Sequence, residues 1–301
     1  MIDLEALIAA GRINENVALG PYTTYKSGGP ARYLMEVGSL RELEDISGSA
    51  GITDLPVLIL GRGSNIVVSD SGFPGLVIRL GAGFGVIDID GTVVTSGSSA
   101  PLAQVARSSV TAGLGGLEFF VGIPGSVGGA VRQNAGCFGS ETRDRLIEAT
   151  ILDLSDSRMM TSTPEQLDMS YRHSSVTSTQ VVLSASFRAW EGDVAQGRDE
   201  LRRITRWRRD NQPGGTFNAG SVFKNPPGDT AGEIIDSLGL KGMKVGDVAV
   251  STKHANFFVA GPAATSSDIR RLVVAVKDRV LEETGTNLEP EIQFVGFEDD
   301  N

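Results

Sequence analysis

The chain has 301 residues, of which 40% are hydrophobic and 21% charged, a composition typical of folded globular proteins long enough for two domains. Its net charge of −10 excludes an extensive nucleic-acid-binding surface, because such surfaces need clustered cations to displace the counterions of phosphates. The single cysteine excludes an internal disulfide, and no apolar run has the length of a membrane span. Since the sequence also shows no basic, cleavable leader, we expect a cytoplasmic protein without membrane insertion.

The first part of the chain predicts an α+β arrangement of many short strands and few helices. A short helix and a connection lead to Pro21, and an extended segment follows at residues 31–37. A capping box at residues 39–42 predicts a second short helix, and a third is predicted to begin at Pro101 and to end at Gly113. Short apolar runs bounded by turn residues predict strands at 57–60, 66–68, 76–80, 86–89, 92–95, 146–154 and 181–187.

The pattern changes near residues 190–196, where we place a boundary between two parts of the chain. An arginine-rich run follows at residues 202–209, and it indicates either a solvated helix face or a contact for a small polyanion. Beyond it, Thr230 predicts the cap of a short helix, and Ser267 predicts the start of a longer one. Residues 288–295 predict a closing strand.

A glycine-rich segment, residues 113–136, is the most unusual stretch of the chain. It contains eight glycines and only two charged residues, so it is too apolar for a linker and too rich in glycine for an ordinary helix. Successive exposed N–H groups in such turns can bind phosphates, although a set of tight turns in a buried core is the plainer interpretation. Residues 61–65, GRGSN, indicate either a hairpin turn or a second loop gripping the same diphosphate-bearing ligand.

Three polar residues are candidates for chemistry, each with a plainer alternative. Ser221 lies between glycine and an apolar pair, and it is either a proton donor or an ordinary turn serine. Arg172 offers a planar fork suited to a carboxylate, but surface arginines are common. Glu291 follows a proline in a strand pattern and could be a simple exposed carboxylate. The two histidines, His173 and His254, are too few for a zinc site, so we predict no metal.

Taken in order, these motifs resemble one family, the UDP-N-acetylenolpyruvoylglucosamine reductases, also called UDP-N-acetylmuramate dehydrogenases. The resemblance covers residues 22–296 and is carried by TTYKSGGPA, GRGSNIVVSDSGFPGLVI, the glycine-rich segment, YRHSS, GSVFKNP, HANF and LEPEIQFVG. It implies an α+β fold with an FAD-binding region of the vanillyl-alcohol-oxidase type and a smaller C-terminal α+β substrate domain. On this basis we predict an FAD-binding region at 1–192, with subdomains at about 1–82 and 83–192, and a substrate domain at 193–301.

The resemblance also implies the reaction and the residues that serve it. NADPH reduces a non-covalently bound FAD, and the enolpyruvyl group of a UDP-sugar is then reduced in the synthesis of peptidoglycan precursors. Ser221 would donate the proton, while Arg172 and Glu291 would polarise the substrate carboxylate. The implied FAD contacts are Gly61, Arg62, Gly63, Ser64, Asn65, Gly122, Ile123, Pro124, Gly125, Ser126, Gly128, Gly129, Asn134, Ala135 and Gly136. The implied substrate contacts are Tyr171, Lys224, Asn225 and His254.

Two departures from the family pattern bear on these expectations. Arg62 stands where the family usually has glycine, and the chain has no room for the tyrosine-bearing insertion of the longer members, so it resembles the compact class. Two alternatives stay open at this point: another FAD-linked oxidase or dehydrogenase, and a flavin- or nucleotide-binding module without activity. No obligate protein partner is implied.

Overall fold

A computed structural model of the chain describes residues 4–47 and 54–297. These residues form seven α-helices and eighteen short strands. The helices are α1 (Leu4–Ala9), α2 (Leu40–Ile46), α3 (Leu102–Thr111), α4 (Val127–Gln133), α5 (Val194–Asn211), α6 (Ala231–Ser237) and α7 (Ser266–Thr284). The strands are β1 (Asn14–Ala18), β2 (Pro30–Val37), β3 (Val57–Ile59), β4 (Ile66–Val68), β5 (Phe73–Leu80), β6 (Ile87–Asp90), β7 (Val93–Gly97), β8 (Leu114–Gly115), β9 (Gly136–Cys137), β10 (Ser140–Glu141), β11 (Leu146–Asp153), β12 (Arg158–Ser162), β13 (Gln180–Arg188), β14 (Trp190–Glu191), β15 (Lys244–Val245), β16 (Val248–Val250), β17 (Phe258–Ala260) and β18 (Gln293–Val295).

Packing divides the chain into two compact units. Unit 1 consists of Met1–Glu15, Tyr33–Gly61 and Gly75–Trp207, and unit 2 consists of Asn16–Arg32, Arg62–Pro74 and Arg208–Asn301. The boundary between Trp207 and Arg208 lies C-terminal to the division between 192 and 193 that we predicted. The reason is that Ile204 of α5 is 1% exposed and belongs to the core of unit 1. The functional division into 1–192 and 193–301 stays a prediction.

Unit 1 contains a five-stranded antiparallel sheet in the order β12-β11-β13-β7-β6. The helix α3 is amphipathic, and its inward residues recur at the spacing of one helix face. These residues are Leu102, Val105, Ala106 and Val110, all at most 2% exposed. The first three of them join one hydrophobic core with α4 and the sheet, and a second core in unit 1 lies around α2, β2 and β5. The glycine-rich segment is therefore built into the first core.

Unit 2 is smaller and has one hydrophobic core. It contains the antiparallel sheet β15-β16-β17 and the parallel pair β4 and β18. The helix α7 begins with a capping box between Thr265 and Asp268 and ends at Gly285, whose φ is 72°. Val222 and Ile292 are 0% and 3% exposed members of this core, and each is the sequence neighbour of a predicted catalytic residue.

Most elements predicted from local pattern are present, and the differences have simple causes. Ser39 and Thr230 accept hydrogen bonds from the backbone of Glu42 and Glu233, so both predicted N-caps are confirmed. The capping box predicted at 39–42 is only half formed, because Oε2 of Glu42 accepts the N–H of Gly38 instead of that of Ser39. The strand predicted at 288–295 is reduced to β18, because Pro290 has no N–H to donate to a ladder and forms only an isolated bridge with Phe223. None of the helices in the described part of the chain is long and apolar enough to span a bilayer.

Candidate functional site

The glycine-rich segment forms tight turns that lead into α4. A Cβ atom added at Gly122 would lie 2.7 Å from Sγ of Cys137, and one added at Gly128 would lie 3.1 Å from Cβ of Ser98. Both glycines therefore allow close packing inside unit 1, which agrees with the interpretation of this segment as a set of tight turns in a buried core. Side chains larger than hydrogen would push the turn away from its neighbours.

Many backbone donors of the segment are already used inside unit 1. The N–H groups of Val127 and Gly128 donate to the carbonyls of Ala100 and Ser98, at 3.1 Å and 2.9 Å. The N–H of Gly125 donates to the carbonyl two residues before it, at 2.9 Å. A nest of successive free N–H groups, the physical reason we gave for phosphate binding, is therefore not formed by these residues. Any cofactor contact in this stretch would depend on the close approach that glycine permits.

A buried hydroxyl beside the segment fits the cofactor that the sequence implies. Ser98 is 3% exposed, and its Oγ has no hydrogen-bond partner among the residues that the structure describes. Buried polar groups nearly always have a partner, so a bound water or a polar ligand group next to Gly128 would satisfy this hydroxyl. The closely packed turn at Gly122 and Gly128 and the unpaired hydroxyl of Ser98 together fit a bound FAD in unit 1.

The loop at residues 61–65 connects strands that do not pair with each other. The strand β3 runs parallel to β5, and β4 runs parallel to β18, so the hairpin interpretation of this loop is wrong. Gly63 has a φ of 60°, and an added Cβ would lie 2.2 Å from the carbonyl oxygen of Tyr22. The carbonyl of Gly63 also accepts the N–H of Thr24 at 3.0 Å. This glycine is thus required by its own backbone and neighbours, whatever the loop binds.

Asn65, a predicted FAD contact, is hydrogen-bonded to the segment that carries Glu291 and leads into β18. Its Nδ2 donates to the carbonyl of Glu291 at 3.0 Å, and its own carbonyl accepts the N–H of Gln293 at 3.0 Å. All three residues lie in unit 2. Loop and strand are therefore joined directly, which local pattern did not indicate.

Ser221 is held next to the segment that carries Glu291. The N–H of Glu291 donates to the carbonyl of Val222 at 2.7 Å, and Ser221 forms an isolated bridge with Phe257. The core residue Val222 anchors the backbone between them. Ser221 itself is half-buried. Among the described residues, no partner of the Ser221 hydroxyl is present. Unit 2 thus brings the predicted proton donor and the predicted carboxylate partner onto adjoining backbone.

Asn256 is a residue of this region that the sequence analysis did not single out. It is 3% exposed; its Oδ1 accepts the N–H of Phe223 at 2.9 Å and its Nδ2 donates to the carbonyl of Phe223 at 2.8 Å. Its carbonyl also accepts the N–H of Val222 at 2.8 Å. The available signal in the sequence is a lone amide among apolar neighbours, Ala255-Asn256-Phe257-Phe258, because a buried amide needs specific partners.

Arg172 lies in unit 1, in a turn closed by two backbone hydrogen bonds between Ser170 and His173, at 3.1 Å and 3.0 Å. Its φ is 55°, a left-handed conformation that is unusual for a residue other than glycine. Its Nη2 donates to the carbonyl of Gly136 at 2.9 Å, and the guanidinium carbon lies 5.0 Å from the centre of the Tyr171 ring. The turn and these contacts orient the guanidinium without requiring a ligand.

The predicted substrate contacts in unit 2 all have partners within that unit. Nζ of Lys224 lies 2.5 Å from Oε1 of Glu289, and Oδ1 of Asn225 accepts the first N–H of α6 at 3.1 Å. Nδ1 of His254 accepts the N–H of Asn256 at 3.3 Å. A phosphate would therefore have to compete with Glu289 for the ammonium group of Lys224.

His254 is expected to make unfolding pH-dependent in mildly acidic solution. Burial, helped by the positive charge of Lys241, lowers the pKa of His254 below its usual value. Between the folded and the unfolded pKa the unfolded state binds more protons, so the free energy of unfolding falls as pH falls below about 6.5. In the variant His254→Gln this part of the decline should be missing between pH 7.5 and 5.5. Parallel urea-derived curves for the two proteins would contradict this.

The arginine-rich run lies on α5, where three of its arginines, Arg202, Arg203 and Arg209, pair with neighbouring acids. Arg202 pairs with Asp199 at 2.8 Å, and Arg203 pairs with Glu200 at 2.6 Å. Such one-turn pairs are typical of a solvated helix face, which favours that interpretation over a polyanion site. As for metals, residues 4–47 and 54–297 contain no group of three or more His, Cys, Asp or Glu that could hold an ion.

Comparison with known proteins gives concordant similarities. The family profile described as "FAD binding domain" matches residues 31–163, and that described as "UDP-N-acetylenolpyruvoylglucosamine reductase, C-terminal domain" matches residues 212–295. The chain is 41% identical over 295 residues to a UDP-N-acetylenolpyruvoylglucosamine reductase of Rubrobacter xylanophilus, covering 97% of this chain and 98% of that one. It is 38% identical over 287 residues to one of Azorhizobium caulinodans, covering 95% and 92% of the two chains.

A solved structure extends the similarity to the fold. The crystal structure of the UDP-N-acetylenolpyruvylglucosamine reductase from Thermus caldophilus aligns with a TM-score of 0.81 at 36% identity, over 93% of this chain and 98% of that one. The predicted α+β fold, with an FAD-binding region followed by a C-terminal domain, is thereby confirmed.

Proposed function

The chain belongs to the UDP-N-acetylenolpyruvoylglucosamine reductase family of FAD-dependent oxidoreductases, and on this premise we propose that it reduces the enolpyruvyl group of a UDP-N-acetylglucosamine ether with NADPH. The product would be UDP-N-acetylmuramate, a precursor of peptidoglycan. The observation that carries the proposal is the placement of Ser221 beside the segment that carries Glu291. The hydroxyl of Ser221 has no hydrogen-bond partner among the described residues. Such a hydroxyl is free to serve a substrate.

Ser221 supplies the proton in this proposal. Reduction of the carbon–carbon double bond adds one hydride and one proton, and FAD, when bound, supplies the hydride. The proton goes from Oγ of Ser221 to the carbon next to the substrate carboxylate: the O–H bond breaks, a C–H bond forms, and serine regains its proton from solvent. A neutral hydroxyl is a weak acid, so the step requires a strongly basic carbon such as that of an enolate and a site that excludes water.

Arg172 and Glu291 serve the carboxylate of the substrate. The guanidinium of Arg172 offers parallel N–H donors, which match the two oxygens of a carboxylate and stabilise the negative charge that develops there. Glu291 acts as an acid or hydrogen-bond partner for the same group. Tyr171, Lys224, Asn225 and His254 contact the sugar or diphosphate. In this proposal the FAD diphosphate lies against the loop at 61–65 and the glycine-rich segment, where glycine permits close approach, with Asn134, Ala135 and Gly136 nearby.

The proposal is tested by following the absorbance of the bound flavin without oxygen. NADPH should bleach the yellow protein, and only the enolpyruvyl sugar nucleotide should restore the colour. Recovery in air without that substrate would indicate an oxidase, and a yellow protein that NADPH cannot bleach would indicate a binding module. Both half-reactions are expected of the purified chain alone, and we place the enzyme in the cytoplasm, where NADPH and nucleotide sugars are available.

A further inference from the structure

We propose that Asn134 is a positioning residue for Arg172, holding the turn that presents the guanidinium to the substrate carboxylate. The proposal rests on the function proposed above. Asn134 is 0% exposed and ends α4 in a left-handed conformation with a φ of 43°. By sequence it was a predicted FAD contact, and by position alone it would be only a helix cap.

The amide of Asn134 makes three hydrogen bonds inside unit 1. Nδ2 donates to Oε2 of Glu141 at 2.8 Å and to the carbonyl of Ser170 at 2.8 Å, while Oδ1 accepts the N–H of Arg143 at 2.9 Å. Both amide hydrogens are therefore used before any cofactor binds. A helix cap needs none of these bonds, because the capping geometry comes from the backbone.

The bond to Ser170 ties α4 to the turn that carries Arg172. Ser170 and His173 close this turn through mutual backbone hydrogen bonds, so fixing Ser170 fixes the base of the turn. A second tie comes from Arg143, whose Nη1 donates to the carbonyl of Met169 at 2.9 Å. Asn134 orients Arg143 as well, since its Oδ1 accepts the N–H of that residue.

The same network sets the carbonyl on which Arg172 rests. The guanidinium of Arg172 donates to Gly136, which pairs with Glu141 in the short β9–β10 hairpin. Glu141 in turn accepts a hydrogen bond from Asn134. The amide of Asn134 thus reaches Arg172 by two routes, through the turn backbone and through the hairpin. Loss of the amide releases both.

The substitution Asn134→Gly separates positioning from capping. Glycine adopts the left-handed conformation more readily than asparagine, so a pure cap would be retained or improved. If Asn134 positions Arg172, the substitution Asn134→Gly should weaken binding of the enolpyruvyl sugar nucleotide about tenfold or more, while the FAD content stays at the wild-type level. Affinity is measured from the change that the substrate causes in the spectrum of oxidised, bound flavin.

Two further single variants and one double variant complete the experiment. Ser157→Gly relaxes another left-handed residue, φ 60°, in an exposed turn of unit 1, and it should leave substrate affinity unchanged. Arg172→Lys should weaken substrate binding by itself, because an ammonium cannot reproduce the guanidinium fork. If Asn134 acts through Arg172, the double variant should bind no more weakly than Arg172→Lys alone.

Three results would overturn the proposal: wild-type affinity in Asn134→Gly, full additivity in the double variant, or loss of FAD together with substrate affinity. Failure of the proposed function gives a different result, because the flavin spectrum of the wild-type protein would then not respond to the sugar nucleotide at all.

Discussion

Ser221→Ala is expected to slow reoxidation of the reduced flavin by the enolpyruvyl substrate about 10²-fold or more, because removal of a positioned general acid typically costs that much. Reduction of the flavin by NADPH involves no proton from this hydroxyl, so its rate should change little. Anaerobic stopped-flow absorbance of the flavin measures the two half-reactions separately. The small change in volume at a half-buried position should leave folding intact.

Ser178→Ala is a suitable control, because this exposed serine of unit 1 belongs to no predicted contact. It should behave as the wild type in both half-reactions. If Ser221→Ala slowed both half-reactions equally, the hydroxyl would be acting on flavin binding or geometry, and the role of Ser221 as proton donor would be lost.

Gly63→Ala should be the most damaging of the glycine substitutions in the predicted FAD loop. The left-handed φ of 60° alone costs about 1 kcal/mol for alanine, and the new Cβ would lie 2.2 Å from the carbonyl oxygen of Tyr22 and 2.8 Å from Cα of Thr23. Because both neighbours are backbone atoms, the loop has to move, and overpacking of this kind adds about 1–3 kcal/mol. We expect a large loss in the free energy of unfolding and a lower FAD content.

Gly239→Ala provides a matched control within unit 2. Its φ of 67° is nearly that of Gly63, but no atom lies within 4 Å of the added Cβ. It should therefore show only the conformational part of the cost, about 1 kcal/mol, with full FAD content. Urea unfolding and the flavin released on denaturation give both quantities. Equal destabilisation by the two substitutions would refute a steric requirement at Gly63.

Several parts of the site depend on pairings that no local pattern reveals. The GRGSN loop looks like a hairpin because two short apolar runs flank it, yet β3 and β4 each pair with a different distant strand. The N–H groups of Val127 and Gly128 look available for a phosphate, but carbonyls from the preceding loop occupy them. Glycine content indicates a tight turn, whereas the use of each donor depends on the surrounding backbone.

The amides give the clearest case of this limit. Asn134 and Asn256 are visible in the sequence as polar residues within apolar or glycine-rich stretches, so a specific role could be expected for each. Their partners, Ser170 and Phe223, are remote in sequence and become evident only in the folded units. Each amide holds the backbone close to a predicted catalytic residue.

By itself the sequence determined the helix caps, the short strands and the ordered motifs that identify the family, because capping, alternation and turn chemistry act over a few neighbouring residues. Only the tertiary structure decided which donors are already used, which strands pair, and that α5 packs with unit 1 as far as Trp207. Those outcomes depend on contacts between distant segments, and burial and hydrogen bonding select among them only once the core has formed.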